Sequence, residues 1–145
     1  MRLWHYELLP YLPELQFKGQ LRELVAIMHD WRDKGKTNHI LINRVMEYSR
    51  DNLYWYFCEY EAEYYNRYGK DLFEQGRDFG EFANWDIDTS KGLFKDWHNK
   101  EYLRVCMANL YEKHFFGVGN SRITDAEWQR LCEGYKTITR EEYKL

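Results

Sequence analysis

Apolar residues recur at three- and four-residue steps along much of this 145-residue chain. Over residues 14–32 this spacing places the apolar side chains on one face, which is the pattern of an amphipathic helix packed against a core. No segment alternates convincingly with the period of two that a half-buried strand requires. We therefore predict an all-α fold, a single compact domain over residues 1–145 with about five helices. The stripe of the first long helix comprises Phe17, Leu21, Leu24, Val25, Met28 and Trp31.

Residues typical of helix ends predict where the other helices begin and end. Ser49 is a suitable N-cap for a long helix, and Gly69 is a suitable C-terminal stop for the same helix. The sequence Thr124-Asp-Ala-Glu127 is typical of a capping box that opens a short helix, after which the polar tail over 136–145 is expected to fray. Further helices are predicted within residues 38–48 and 98–115. On the helix over 50–68 the expected buried stripe is Leu53, Phe57, Tyr60, Tyr64 and Tyr68, with Glu59, Glu61 and Glu63 facing water.

Residues 69–95 are the least regular part of the chain. Four glycines interrupt a stretch that is rich in Asp, Phe and Trp and has no clear periodicity. A segment of this length is either a functional loop or an ordered cover, which Phe79, Phe82 and Trp85 would pack onto the core.

The cysteines and the hydropathy pattern restrict the class of protein. Cys58, Cys106 and Cys132 are odd in number, widely spaced and free of any CxxC pair, so we expect free thiols rather than a disulfide framework or a zinc site. No apolar run approaches the roughly 20 residues of a membrane helix. We expect a soluble, cytoplasmic monomer that uses no metal and no other cofactor.

Charge is distributed unevenly. The net charge is −3, but residues 51–90 carry −7, while the segments before and after them carry +2 each. A phosphate-facing surface built from the two ends is compatible with this distribution, although the overall field would not steer DNA strongly.

One short motif contains candidate catalytic residues. Arg22-Glu23-Leu24 follows about twenty residues behind an apolar amino terminus that begins Met1-Arg-Leu-Trp-His5. Together with Leu12-Pro13 and the run from Gly19 to Glu23, these residues resemble the pyrimidine-dimer DNA glycosylase/AP-lyase family (endonuclease V of phage type), and more closely its bacterial branch. The resemblance continues in patches over residues 37–69 and from Glu101 to Leu110.

The resemblance implies a DNA-repair base-excision glycosylase, with an AP-lyase step, that acts on damaged, pyrimidine-dimer-like duplex DNA. An α-amino group has a pKa of roughly 7.7–8.0, so a useful fraction is neutral and can form an imine with the opened sugar. A neighbouring carboxylate can stabilise the cationic sugar and remove the proton that starts β-elimination. By resemblance Glu23 is the acid/base, Met1 supplies the amine and Arg22 contacts a phosphate or the lesion.

Two departures from the family pattern leave alternatives open. The family exposes a small residue after removal of the initiator Met, whereas the bulk of Arg2 normally prevents that removal. Either Met1 is itself the nucleophile, or processing is unusual, or the lyase step is absent; Arg2 is kept with Met1 and Glu23 as a catalytic candidate. A family arginine is replaced by Ala26, so other groups must hold DNA. The candidates for substrate and DNA contact are His5, Gln16, Lys18, Gln20, Arg22, Arg32, Lys34 and Lys36.

Structural interpretations compete with each of these roles. An Arg-Glu pair is common on solvated helix faces, and His5 beside Trp4 is more often a packed histidine than a catalytic one. The remaining histidines match no metal motif. Tyrosines at positions 54, 56, 60 and 64 could stack bases but at helical spacing are more often core. The alternative functions are a non-catalytic helical module that binds nucleic acid or protein, and an enzyme acting on another nucleotide. The repair hypothesis requires Glu23 to lie at the amino terminus rather than in a distant ion pair.

Overall fold

A computed structural model describes residues 2–85, 90 and 92–145, with the side chains of residues 40 and 41 excepted. Within these residues the chain forms six α-helices and no strand, which confirms the all-α prediction and adds one helix to the expected number. None of the helices in this part of the chain is long and apolar enough to cross a membrane. The helices are α1 (Glu14–Lys34), α2 (Ile40–Asn43), α3 (Arg50–Tyr68), α4 (Phe73–Gly80), α5 (Lys100–Phe115) and α6 (Asp125–Thr139); 3-10 turns cover Tyr6–Tyr11, Arg44–Glu47 and Gly119–Ser121.

Helix α1 begins after Pro13 and runs two residues further than its sequence pattern predicts. Gly35 ends it in the left-handed conformation, φ 69°, which glycine adopts without steric cost, and its N–H bonds to the carbonyls of Asp30 and Trp31. The buried face is rotated from the predicted one, because Gln20 and Ile27 are fully buried while Leu21 and Val25 lie at the edge. A polar side chain therefore lies in the middle of the core face of α1.

Helix α3 follows Ser49 and ends at Gly69, φ 64°, as predicted. Its core residues are Tyr56, Phe57 and Tyr60 together with Leu53, while the last two tyrosines of the predicted stripe are only half-buried. Tyr56 and Tyr60 are thus core residues rather than a stacking surface.

The prediction that Glu63 faces water is wrong. Its side chain is 12% exposed and accepts a hydrogen bond of 2.8 Å from Arg67 Nε. Arg67 in turn donates to the carbonyls of Leu9, Pro10 and Leu12, with its guanidinium 4.0 Å from the Phe17 ring centroid. Arg67, oriented by its ion pair with Glu63, thus connects α3 to the turn Tyr6–Tyr11, hereafter the amino-terminal turn.

The segment predicted to be irregular contains α4, which is a correction. The ring of Phe79 stacks on that of Phe57 with centroids 4.2 Å apart, so tertiary contact stabilises this eight-residue helix. Phe79 and Phe82 are buried, as a cover requires, but Trp85 is 73% exposed. Residues 86–89 and 91 of this segment lie outside the described residues.

Helix α6 and the residues after it pack against the rest of the described chain. Thr124 and Glu127 form the predicted capping box, with bonds of 2.9 and 3.1 Å, but α6 is longer than the short helix we predicted. The tail does not fray entirely, since Tyr143 packs edge-on against Tyr135. Helices α3 and α6 both pack on the amino-terminal turn. The three cysteines are free thiols, that of Cys106 being buried.

Candidate active site

The amino-terminal segment, residues 2–5, lies buried between three helices. Its residues Leu3, Trp4 and His5 are at most 6% exposed. The Tyr102 hydroxyl of α5 donates to the Leu3 carbonyl over 2.6 Å, and the Tyr56 hydroxyl of α3 donates to the Trp4 carbonyl over 2.6 Å. Backbone groups of a buried segment outside any helix or strand must find such partners, and here side chains supply them.

Gln20 of α1 completes the anchoring. Its Oε1 accepts hydrogen bonds from the Trp4 backbone N–H, at 2.8 Å, and from the Tyr56 hydroxyl, at 3.1 Å. Its Nε2 donates to the Arg2 carbonyl, at 3.0 Å, and to Glu23 Oε2, at 3.2 Å. We predicted that Gln20 contacts the substrate or DNA; in this structure the side chain is fully buried and its four hydrogen-bonding positions are occupied by protein groups, so it is not accessible for that contact.

Glu23 lies one helical turn beyond Gln20 and faces the amino-terminal segment. Its Oε2 accepts from the Arg2 backbone N–H over 3.2 Å, and the side chain is half-buried. Among the described residues no cation lies within salt-bridge distance of this carboxylate, and none donates a hydrogen bond to Oε1. Glu23 therefore lies beside the amino-terminal segment rather than in a distant ion pair. Met1, the predicted nucleophile, lies outside the described residues.

The environment of Glu23 alters its acidity. Burial raises the pKa of the Glu23 carboxyl above its ordinary value of 4.5, while the Arg2 N–H bond and the charges of Arg22 and His39 oppose that rise. A carboxyl with a raised pKa exchanges protons more readily near neutral pH, which suits general acid/base chemistry.

The charges of Arg22 and His39 act on the Glu23 carboxylate, whereas the Arg2 side chain faces Trp4 and Tyr102. Arg22 is exposed on the neighbouring flank of α1, and the Arg2 guanidinium lies 5.8 Å from the Trp4 ring centroid. His39, exposed at the start of α2, was not selected from the sequence as part of the site. Sixteen residues and a turn separate it from Glu23, and no local spacing indicates that the two are neighbours.

The other predicted DNA contacts lie elsewhere on α1 or beyond its end. Lys18 pairs with Glu14 at 3.0 Å, and it lies about 140° around the helix from Glu23. Arg32 and Lys34 lie more than two helical turns from Glu23, and each forms ion pairs with carboxylates near it. Lys36 is exposed and follows Gly35. These residues do not converge on Glu23. The ion pairs are Arg32–Asp33 at 3.4 Å, Arg32–Glu81 at 3.8 Å and Lys34–Asp30 at 3.5 Å.

Gln16 and His5, two further predicted contacts with DNA, differ in their position relative to Glu23 and in their burial. Gln16 lies on the Glu23 side of α1, half-buried, with its Oε1 buried and unpartnered among the described residues. His5 is 2% exposed, and its Nδ1 accepts from the Glu7 backbone N–H at 3.2 Å. Burial lowers the pKa of His5 to about 4, so the ring is neutral at physiological pH. The DNA contact predicted for His5 is thus wrong, and the alternative of a packed histidine is confirmed.

Within the described part of the chain, no three or more His, Cys, Asp or Glu side chains form a group that could hold a metal ion. Around Glu23 the described residues offer a carboxylate, the backbone of the amino-terminal segment and the nearby charge of Arg22.

The family model for pyrimidine dimer DNA glycosylase matches residues 1–73, half of the chain. This range contains the amino-terminal segment and helices α1 to α3, and therefore every side chain placed around Glu23 above. Comparisons with curated proteins and with solved structures gave no match.

Proposed function

The chain belongs to the pyrimidine dimer DNA glycosylase family, and from this membership we propose that it excises damaged bases from duplex DNA and then cleaves the strand through an imine on its amino-terminal amine. The observation that carries the proposal is the 3.2 Å hydrogen bond between the Arg2 backbone nitrogen and Glu23 Oε2. It brings the start of the chain and a carboxylate of raised pKa into one site.

Covalent geometry supports an amine at this site whichever residue is first. If Met1 is removed, the amine is the Arg2 nitrogen itself. If Met1 is retained, three covalent bonds separate its nitrogen from that of Arg2, so the two atoms are less than about 4 Å apart in any conformation. The amine is then within about 7 Å of the carboxylate, close enough for both groups to act on one sugar. The bulk of Arg2 favours retention of Met1 as the nucleophile.

The chemistry follows from these two groups. The neutral amine attacks C1′ of the damaged nucleotide, and the C1′–N bond breaks with its electron pair leaving on the base, which takes up a proton. Ring opening gives an imine, protonated on nitrogen. Glu23 stabilises the cationic sugar, then removes a C2′ proton, and the C3′–O bond breaks with the electron pair leaving on the phosphate.

Substrate contact is proposed for the exposed side chains whose charges act on the carboxylate. Arg22 would pair with a phosphate, and the exposed imidazole of His39 could donate a hydrogen bond to a second phosphate. The damaged nucleotide has to leave the stack to reach a half-buried carboxylate, as in other enzymes that act on bases. This contact surface comes from residues 1–50, whose net charge is +2.

Borohydride trapping tests the proposal. The protein is mixed with duplex DNA that contains a cyclobutane dimer or an abasic site, and the crosslinked residue is mapped by mass spectrometry. We expect an adduct on the amino-terminal residue. Glu23→Gln should lower base release by about 10²- to 10⁴-fold, whereas Glu14→Gln, an exposed carboxylate on the same helix, should not. Absence of adduct, strand cleavage and base release from the wild-type protein would refute the proposal.

A second candidate is a non-catalytic module that binds nucleic acid or protein. It is favoured by the pairing of Lys18, Arg32 and Lys34 with carboxylates, which leaves less positive charge for DNA. Absence of base release and of strand cleavage by the wild type, with no change in Glu23→Gln, would support this candidate.

A further inference from the structure

The Gln20 side chain forms two hydrogen bonds with the backbone of the amino-terminal segment, like those that a neighbouring strand would form. In an extended segment the carbonyl of one residue and the N–H two residues later point to the same side. Gln20 uses this pair, donating to the Arg2 carbonyl and accepting from the Trp4 N–H at 3.0 and 2.8 Å. The amide plane is thereby fixed against the backbone that carries the amino terminus.

The orientation of this amide is unique. Reversing the amide would bring its NH₂ group against the Trp4 N–H and its oxygen against the Arg2 carbonyl, so both bonds would become repulsive. The Tyr56 hydroxyl occupies the second acceptor position of Oε1 at 3.1 Å. Nε2 therefore has one remaining N–H, and that N–H points to Glu23 Oε2, 3.2 Å away.

We propose that Gln20 is a positioning residue, which couples the Glu23 carboxylate to the amino-terminal segment and so fixes the acid/base group relative to the nucleophilic amine; this inference rests on the function proposed above. Two donors, from Gln20 and Arg2, hold Oε2 at 3.2 Å each. No donor among the described residues engages Oε1, which is left for the sugar. A purely structural glutamine would need only its contacts with the backbone and Tyr56.

Loss of this coupling has a specific consequence. Gln20→Met keeps an unbranched side chain of similar length but no polar group. Glu23 then keeps one donor on Oε2 and can change rotamer. Because misplacement of a reacting group by about 1 Å costs on the order of 10²-fold, we expect imine formation at saturating DNA to slow by at least about tenfold. Affinity for DNA should change little, since Gln20 is fully buried.

The matched control is Tyr56→Phe. It removes a buried hydroxyl from the same network, whose single hydrogen is shared between the Trp4 carbonyl at 2.6 Å and Gln20 Oε1 at 3.1 Å, and leaves the bond between Gln20 and Glu23 intact. Both variants lose buried hydrogen bonds and should be less stable, so thermal unfolding of each is measured first. Only Gln20→Met removes a donor from Glu23.

Two readouts separate positioning from structure. One is the single-turnover rate of borohydride-trapped imine at saturating DNA. The other is a ¹³C NMR titration of the Glu23 carboxyl. The charged or titratable groups around that carboxyl are Arg22 on α1, His39 at α2, Tyr56 on α3 and the amino terminus with Arg2. All except the substituted Tyr56 are common to the three proteins, and Tyr56 does not ionise in the range of a carboxyl titration, since burial raises its pKa well above 10.0.

We expect Gln20→Met to raise the Glu23 titration midpoint and slow imine formation, because a lost donor disfavours the charged carboxylate. Tyr56→Phe should change neither by a comparable amount. Equal effects in both variants, or an unchanged Glu23 titration in Gln20→Met, would overturn the inference. If Gln20→Met does not fold, Gln20→Glu preserves the shape and places an oxygen opposite Glu23 Oε2, with the same upward shift expected. A wild-type protein that forms no imine, with the titration shift still confined to Gln20 variants, would refute the proposed function and leave the coupling to Glu23 intact.

Discussion

Helix α6 approaches the amino-terminal turn so closely at Gly134 that a single added methyl group should be destabilising. A Cβ on Gly134 would lie 2.6 and 2.8 Å from Cδ2 and Cδ1 of the Tyr11 ring and closer still to Cγ. Carbon atoms pack favourably at about 3.5–4.0 Å, so Gly134→Ala requires the ring and α6 to separate by about 1 Å.

The ring has little room to move, because both sides of the turn are held. Arg130 of α6 donates to the Pro10 carbonyl at 3.0 Å, and Arg67 of α3 holds the carbonyls around it. Overpacking of this kind costs about 1–3 kcal/mol, against which alanine gains about 1 kcal/mol of helix propensity over glycine. We expect a net loss of up to about 2 kcal/mol in the free energy of unfolding. This corresponds to a fall in Tm of up to roughly 8 °C.

Urea unfolding of the wild type and two alanine variants measures the effect. Gly80→Ala is the control, since Gly80 is also helical, at the end of α4, but a Cβ there meets nothing within 4 Å. It should leave stability unchanged or raise it by up to about 1 kcal/mol. If Gly134→Ala proves as stable as Gly80→Ala, the close approach of α6 to Tyr11 is not required and the reasoning fails. Restoration of stability by an additional Tyr11→Leu substitution would locate the clash in the ring.

Two further predictions concern the site and its support. Burial raises the pKa of Glu23, so the folded state binds this proton more tightly than the unfolded chain, and the stabilisation is present below the ordinary value of 4.5 and lost as pH rises through the higher folded value. Glu23→Gln should therefore gain stability over the wild type between mildly acidic and neutral pH, measured as Tm against pH; a difference that shrinks as pH rises would contradict the assigned direction. Arg67→Met should lower the free energy of unfolding by about 3 kcal/mol, because it leaves the nearly buried Glu63 carboxylate and three carbonyls without their donor. A double-mutant cycle with Glu63→Gln checks this estimate, and a loss below about 1 kcal/mol would show that water replaces the guanidinium.

Several elements could be predicted because their signals are local. The three- and four-residue spacing specifies α1, and the capping box at Thr124 closes its hydrogen bonds within four residues. Gly35 and Gly69 end their helices because both adopt a left-handed conformation that other residues enter only with strain. Glu23, too, was selected from the sequence, through its resemblance to a family motif.

The sequence alone determined the helical class, most helix ends and the candidacy of Glu23, since these depend on periodicity, capping and a short motif. Only the tertiary structure decided what surrounds that carboxylate. The sequence around Gln20 does not indicate that its side chain is buried. In the structure Arg2, Trp4 and Tyr56, which are between 16 and 36 residues away, form hydrogen bonds with its amide and so make its burial favourable. Helix α4 likewise depends on the stacking of Phe79 on Phe57 of α3. A buried polar group or a short helix is stabilised by partners distant in sequence, and a local pattern carries no information about them.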